Sequence, residues 1–224
     1  MTNHSVTDGC FVAYAAHELR GEIALQLALA EVALADPDPR QGELRKLGEQ
    51  VAAACGRQER LLQALLTLSR SEAGRLRREP VNLAATVAAV LGDHDQHGLE
   101  RATVLEPART AGDPELIERL VVNLVENAVR HNIPGGRLEI VTRAGAGRAT
   151  FTIGNTGPLI PTEDLARLFQ PFERLTSHPC ASADGLGLGL AIVQAIADAH
   201  DAAITAQPRI GGGLAIDVAF AALD

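Results

Sequence analysis

Two prolines one residue apart, in Asp36-Pro37-Asp38-Pro39-Arg40, interrupt a chain that otherwise reads helical up to about Ser69. Neither proline can continue a helix, because each lacks an N–H donor and its ring clashes with the preceding turn. Before them, Cys10 to Leu34 is rich in Ala, Leu and Glu. Phe11, Leu19, Ile23, Leu27, Ala30 and Leu34 recur there at helical spacing. After them, Leu44, Leu47, Val51, Ala54, Leu61, Leu65 and Leu68 form a stripe along Gln41 to Ser69. Two long helices joined by a short turn make an αα-hairpin. One hairpin buries little apolar surface, so the stripes predict pairing with a second copy as a four-helix-bundle dimer. A hairpin folded onto the rest of its own chain is the alternative.

Arg70 to Pro80, RSEAGRLRREP, is charged and contains Gly and Pro, and it reads as a linker. The chain therefore divides into a hairpin at 1–70, a linker at 71–80 and a second domain at 81–224. In that domain Val81 to Leu83 reads as a short strand leading into a helix from Leu83 to Leu91. Leu138 to Thr142 and Ala149 to Ile153 alternate as hairpin strands around Gly145 and Gly147. Ala203 to Ala206 and Leu214 to Phe220 supply two more, turned through Gly211 to Gly213. The expected class is α+β: the helical hairpin, then an α/β sandwich of mixed sheet and helices.

The central helix of this domain opens at Asp113, which caps it, with Pro114 at the first position and Glu115 in the first turn. Ile117, Leu120, Val121, Leu124, Ala128 and Val129 form a face that can pack on a sheet. Asn123, Glu126, Asn127 and Arg130 fall at i, i+3, i+4 and i+7 on the opposite face. A solvated helix normally shows Lys, Glu and Gln there. Amide and carboxylate oxygens are instead hard ligands suited to Mg²⁺, while Arg130 and His131 suit phosphate oxygens.

Two glycine-bearing stretches follow. Phe151 to Ile160, FTIGNTGPLI, is a strand that breaks into a turn holding Asn155 and Gly157. Asp184-Gly-Leu-Gly-Leu-Gly-Leu190 then enters the helix-period segment Ala191 to Ala199. Glycines just before a helix let the backbone approach phosphates at the helix N-terminus. A dinucleotide fingerprint is excluded, since no strand precedes these glycines and their spacing is GxGxG. The ordered set of Asn-rich helix, NTGP turn, Phe-containing LFQPFERL (Leu168 to Leu175) and GLGLGL resembles the ATP-binding domain of sensor histidine kinases. That domain belongs to the wider group that includes gyrase, Hsp90 and MutL, and the resemblance covers Val81 to Asp224.

The resemblance implies a Bergerat-type ATP-binding sandwich using ATP and Mg²⁺. Asn127 becomes the Mg²⁺ ligand with Asn123 beside it, and Arg130 and His131 contact the phosphates. Arg174 corresponds to the arginine that reaches the terminal phosphate. Gly185, Gly187 and Gly189, with Leu190 at the helix start, form the hinge and phosphate loop, and Ser177 to Asp184 the lid. Asn155 stands where the family usually has an adenine-reading Asp; its amide oxygen can still accept from the adenine amino group, without charge. Asn155→Asp is accordingly expected to tighten binding. Glu126 occupies the place of the general base in ATP-hydrolysing relatives and is left without a role.

In the first helix, Ala15-Ala-His-Glu-Leu-Arg-Gly-Glu22 resembles the phosphoacceptor box of the same family. His17 is then the acceptor. Neutral imidazole is the nucleophilic form, and Glu18 can accept one ring N–H and neutralise the charge that develops. The family's Thr-Pro after HELR is replaced by Gly21-Glu22. The residue at Gly21 is thought to orient the water that dephosphorylates the partner, so that activity is expected to be weak. The implied partners are a second copy and the receiver domain of a response regulator.

Composition narrows the rest. Net charge is −8, with pI about 5.4, which argues against nucleic acid or an anionic membrane as partner. Aromatics make up only 3% against 46% hydrophobic residues, so Leu, Val, Ile and Ala build the core. Three irregularly spaced cysteines, Cys10, Cys55 and Cys180, fit a reducing cytosol without disulfides. No stretch reaches the ~20 apolar residues needed for a bilayer span. The chain is expected to be cytoplasmic, the cytosolic part of a membrane-bound sensor. His94 and His97, with Asp93 and Asp95, read as a solvated turn, and His200 as a helix-end position favouring a cation. Two other functions compete with the kinase: a transfer-inactive ATP-binding scaffold, and an ATPase or Ser/Thr kinase of the same superfamily.

Overall fold

The computed structural model describes residues 21, 23–31, 44–56, 58, 62, 76–93, 98–173 and 187–223. The chain divides into two compact units, Met1–Leu66 and Thr67–Asp224. In the first, residues 23–31 (α1) and 44–56 (α2) are helical, as the leucine stripes predict. Gln26 Nε2 donates to Cys55 Sγ at 3.3 Å and Gln58 Oε1 at 3.4 Å, so the two helices meet there. The turn expected at Asp36 to Arg40 lies outside the described residues.

The second unit runs β1 (Glu79–Asn82), α3 (Leu83–Asp93), β2 (Glu100–Leu105), β3 (Arg109–Gly112), α4 (Pro114–Arg130), β4 (Arg137–Gly145), β5 (Arg148–Asn155), α5 (Gly189–Ala199), β6 (Ala203–Pro208) and β7 (Leu214–Ala221). Five strands form one sheet in the order β2-β4-β5-β7-β6, while β1 and β3 make a separate antiparallel ribbon. Only β2 runs parallel to its neighbour β4; the other pairs are antiparallel. This is the mixed sheet with helices expected of the sandwich. The strands form where apolar residues alternate: Leu138, Ile140 and Thr142 on β4, Ala149, Phe151 and Ile153 on β5, and Leu214, Ile216, Val218 and Phe220 on β7 are buried. Leu83 and Val87 of α3, Ile117, Leu120, Val121 and Leu124 of α4, and Ile196 of α5 complete this core.

The structure departs from the sequence reading in four places. β1 begins at Glu79, two residues earlier than expected, and Leu83 already opens α3. Strands β2 and β3 carry no clean alternation, since β2 is exposed or half-exposed throughout, and each is defined by its partner instead. On α4, Leu116 and Val125 join the buried face while Val129 is only half-buried. His200 is corrected most. It does cap α5, but it is 6% exposed and holds no cation. Its Nε2 accepts from the Asp113 backbone N–H at 3.0 Å. That leaves Nδ1 as the protonated nitrogen, donating to Ile196 O at 2.7 Å. Burial lowers the ring's pKa below its ordinary value, and the hydrogen bond to Ile196 only partly offsets this.

Candidate nucleotide site

The amide-bearing helix α4 is fixed at its start by Asp113, whose Oδ1 accepts from the N–H of Glu115 at 3.1 Å and of Leu116 at 3.3 Å. One turn beyond its middle the four residues expected on one face have unequal surroundings. Asn123 is 9% exposed, and its Nδ2 donates to Arg119 O at 2.7 Å. The amide nitrogen being spent on its own helix, Oδ1 is left facing Gly189; a methyl on that glycine would lie 3.5 Å from it. Asn127 is half-buried and makes no side-chain hydrogen bond among the described residues, so its oxygen is available to a hard cation. Glu126 is half-buried beside it, and the side chains of Arg130 and His131 are exposed at the helix end.

Asn155 ends β5, paired with Leu138 on one side and Leu214 on the other. It is buried, and Nδ2 donates to Thr156 O at 2.8 Å and His131 O at 3.3 Å. Its Oδ1 is the uncommitted end. Gly157 lies in a cradle: a methyl there would sit 2.7 Å from His131 O and 3.3 Å from Gly213 Cα. Gly212 and Gly213, at φ +105° and +99°, press on the same loop, and Gly213 N–H donates to Pro158 O at 2.9 Å. A side chain on either would strike the carbonyl of Gly157 or of Asn155. These two glycines are site-forming positions that a sequence reading takes for an ordinary hairpin turn. The triple glycine Gly211 to Gly213 was the available signal.

The third part is the start of α5. Gly187 has φ +68°, and its O accepts from Phe172 N–H at 3.0 Å. Phe172 is itself left-handed at φ +65°, an uncommon conformation for a bulky residue. A methyl on Gly187 would lie 2.9 Å from Glu173 O, so the two chain segments require glycine here. Arg167 fastens this corner, pairing with Glu173 at 2.8 Å and Asp164 at 3.3 Å. α5 has no side-chain cap, unlike α4, so its first N–H groups remain open to an anion. Leu190 is buried, so only its backbone N–H faces that end of the helix. Asn123, Asn127, Arg130, His131, Asn155, Gly157, Gly187, Gly189 and Leu190 thus lie on α4, the β5 loop and the α5 start, three elements of one unit. His17, Glu18, Arg174 and Gly185 lie outside the described residues, as do Ser177 to Asp184 and His94 to His97.

The donor set fits the expected group. Asn127 presents an unengaged hard oxygen, and uncapped N–H groups with glycines beside them suit phosphate. Among the described residues no cluster of three or more His, Cys, Asp or Glu forms a metal site. None of the described helices is long and apolar enough to cross a membrane.

Residues 112–222 match the family described as Histidine kinase-, DNA gyrase B-, and HSP90-like ATPase. Sensor protein CutS of Streptomyces coelicolor is 40% identical over 213 residues, covering 93% of this chain and 51% of that protein. The chain thus spans about half the length of the curated relatives it matches. Acinetobacter baumannii histidine kinase AdeS superposes with a TM-score of 0.69 at 26% identity, covering 93% of this chain and 98% of that one. Histidine kinase ThkA in complex with response regulator protein TrrA superposes with a TM-score of 0.72 at 22% identity, covering 95% and 61%, a likeness of fold.

Proposed function

We infer, since this chain belongs to the sensor histidine kinases and its residues 112–222 to their ATPase family, that it is the catalytic half of such a kinase. In this reading it binds ATP on α4, the β5 loop and the start of α5, phosphorylates His17, and passes the phosphoryl group to an Asp of a response regulator. The observation that carries it is the meeting of Asn123 Oδ1 with Gly189, which joins the amide helix to the glycine turn. A surface helix has no reason to set an amide oxygen against an uncapped helix start.

Asn155 Oδ1 reads the adenine amino group, its orientation set by the two carbonyls that hold Nδ2. The open N–H groups of α5, with Gly185, Gly187 and Gly189, cradle phosphates; Arg130, His131 and Arg174 add positive charge to them. Asn127, with Asn123 beside it, would hold Mg²⁺, whose charge supplies neutralisation of the polyphosphate when bound. A ring nitrogen of His17 forms a bond to the γ-phosphorus as the bond to the β,γ-bridging oxygen breaks, its electrons leaving with ADP. Glu18 holds the other ring N–H. In the second half, an Asp carboxylate oxygen of the regulator displaces the imidazole from the same phosphorus.

The hairpin at 1–70, followed by the linker at 71–80 and the ATP-binding domain at 81–224, is read as the dimerising part. Ile23 and Leu27, one turn apart, are 56% and 60% exposed in the single chain, and Leu44 and Leu62 are 47% and 51% exposed. That much open leucine and isoleucine favours a second hairpin against them. ATP and a receiver-domain partner place the chain in the cytosol. Incubation with γ-labelled ATP tests the reading: acid-labile, alkali-stable label that vanishes in His17→Ala and in Asn127→Ala supports it. Release of free phosphate unaffected by His17→Ala, with no bound label, would overturn it.

A further inference from the structure

The link between His200 and Asp113 reaches beyond the capping of one helix. Asp113 stands at the start of α4 and Asn123 near its middle; Gly189 opens α5 and His200 closes it. Asn123 meets Gly189 while Asp113 meets His200, so the two helices run antiparallel and touch at both ends of a shared span. At a helical rise of about 1.5 Å per residue, Asp113 to Asn123 covers about 15 Å and Gly189 to His200 about 16 Å. The spans match.

We propose that His200 is a positioning residue for the nucleotide site, setting the axial register in which the glycine turn at Gly187–Gly189 meets Asn123. This rests on the reading of that site as the ATP site. Apolar contacts between helices are non-directional and tolerate sliding. The Asp113 N–H to Nε2 bond does not: at 3.0 Å, a slip of one rise, about 1.5 Å, removes it. The ring has no freedom to follow such a slip. Its Nδ1–H is held by Ile196 O, and Phe220 of β7 packs edge-on with ring centroids 6.0 Å apart. Gly112 closes the fourth side, since a methyl there would lie 2.7 Å from His200 Cδ2 and 2.6 Å from Ile117 Cδ1. Asp113, Asp201 and Arg78 are the charged groups around the ring, the first two favouring its protonation and Arg78 opposing it; Gly112 and Phe220 bring none. A protonated ring would turn a second N–H toward the Asp113 N–H and lose the acceptor.

The test uses the full chain, a fluorescent ATP analogue and Mg²⁺, well below the melting temperature. His200→Phe keeps the volume and removes both polar contacts, whereas His200→Gln can place an amide oxygen near the Nε2 position. We expect His200→Phe to bind the analogue roughly tenfold more weakly and His200→Gln to recover most of that, the change expected from one directional hydrogen bond. Labelling at saturating ATP should change little, so the effect falls on KM and not on kcat. Binding by His200→Phe equal to the starting protein, with only a lowered melting temperature, overturns the proposal and leaves the ATP reading intact. No binding by the starting protein overturns both. If His200→Phe does not fold, the pH profile decides. The starting protein should lose affinity as pH falls below 6.5, the ordinary value for the ring, relative to His200→Gln. Parallel profiles overturn the proposal.

Discussion

Thr156 Oγ1 donates to Asn132 Oδ1 at 2.6 Å and accepts from Arg137 N–H at 2.7 Å. The hydroxyl thereby joins three segments: the end of the amide helix, the first residue of β4 and the loop after β5. Asn132 returns the contact, with Nδ2 donating to Arg137 O at 3.2 Å. Gly136 is required beside them, because a methyl there would strike both Asn132 Oδ1 and Thr156 Oγ1.

Thr156→Val keeps the shape and removes the hydroxyl. It leaves Arg137 N–H without its acceptor, a loss of about 1–3 kcal/mol if no water replaces it. Urea unfolding should show this, and calorimetry should show weaker ATP binding because Asn155 is the adjacent residue. An unchanged urea midpoint would mean that the three segments are held by other contacts.

Asn155→Asp should not simply strengthen the site. A carboxylate is the better acceptor for an adenine amino group, and on sequence alone the substitution tightens binding. In the structure Nδ2 donates to two backbone carbonyls, and Asp would turn an oxygen toward both. The expected outcome is a protein less stable by about 1–3 kcal/mol, with ATP affinity no better than before. Differential scanning calorimetry with and without ATP separates the two quantities; tighter binding at full stability contradicts this prediction.

Asn127→Ala and His17→Ala should both abolish labelling by ATP but differ otherwise. Asn127 makes no side-chain hydrogen bond among the described residues, so its loss should shift stability by no more than about 0.5 kcal/mol. His17→Ala should retain nucleotide binding, which Asn127→Ala loses in the presence of Mg²⁺. Equilibrium dialysis with ATP and Mg²⁺ reads the difference. Loss of binding in His17→Ala would sink the division of roles.

Gly213→Ala is expected to be among the most damaging single changes. At φ +99° an L-residue is strained, and the added methyl would meet Asn155 O. A loss of about 3 kcal/mol or more is expected, with ATP binding lost alongside. Gly145→Ala is the control: nothing lies within 4 Å of the added methyl, and its effect should stay within about 0.5 kcal/mol.

Gly21 is helical and exposed, with nothing within 4 Å of an added Cβ. Gly21→Ala should therefore gain about 1 kcal/mol of helix stability. Gly21→Thr also fits, and it should speed the decay of phosphorylated regulator in the presence of ADP and Mg²⁺ while labelling of His17 persists. Rapid decay already with Gly21 would show that another group orients the water.

What the sequence determined by itself is local in origin. The Asp113-Pro114-Glu115 start of α4, the alternation in β4, β5 and β7, and the helical stripes on either side of Pro37 and Pro39 follow from periodicity, capping and the missing N–H of proline. The amide row and the two glycine stretches were legible for the same reason, since each chemistry lies within about ten residues of continuous chain. Only the tertiary structure decided what crosses between elements. β2 has no alternation of its own and exists because β4 pairs with it. Asn155 was visible as an acceptor, but not the two carbonyls that take its amide nitrogen. Gly212 and Gly213 read as a turn until the loop at Gly157 is laid against them. His200, placed by sequence at a helix end that would welcome a cation, is neutral because folding buries it and sets the Asp113 N–H on its free nitrogen. A helix terminus attracts positive charge only while water can solvate that charge, and burial is a property of the packed chain.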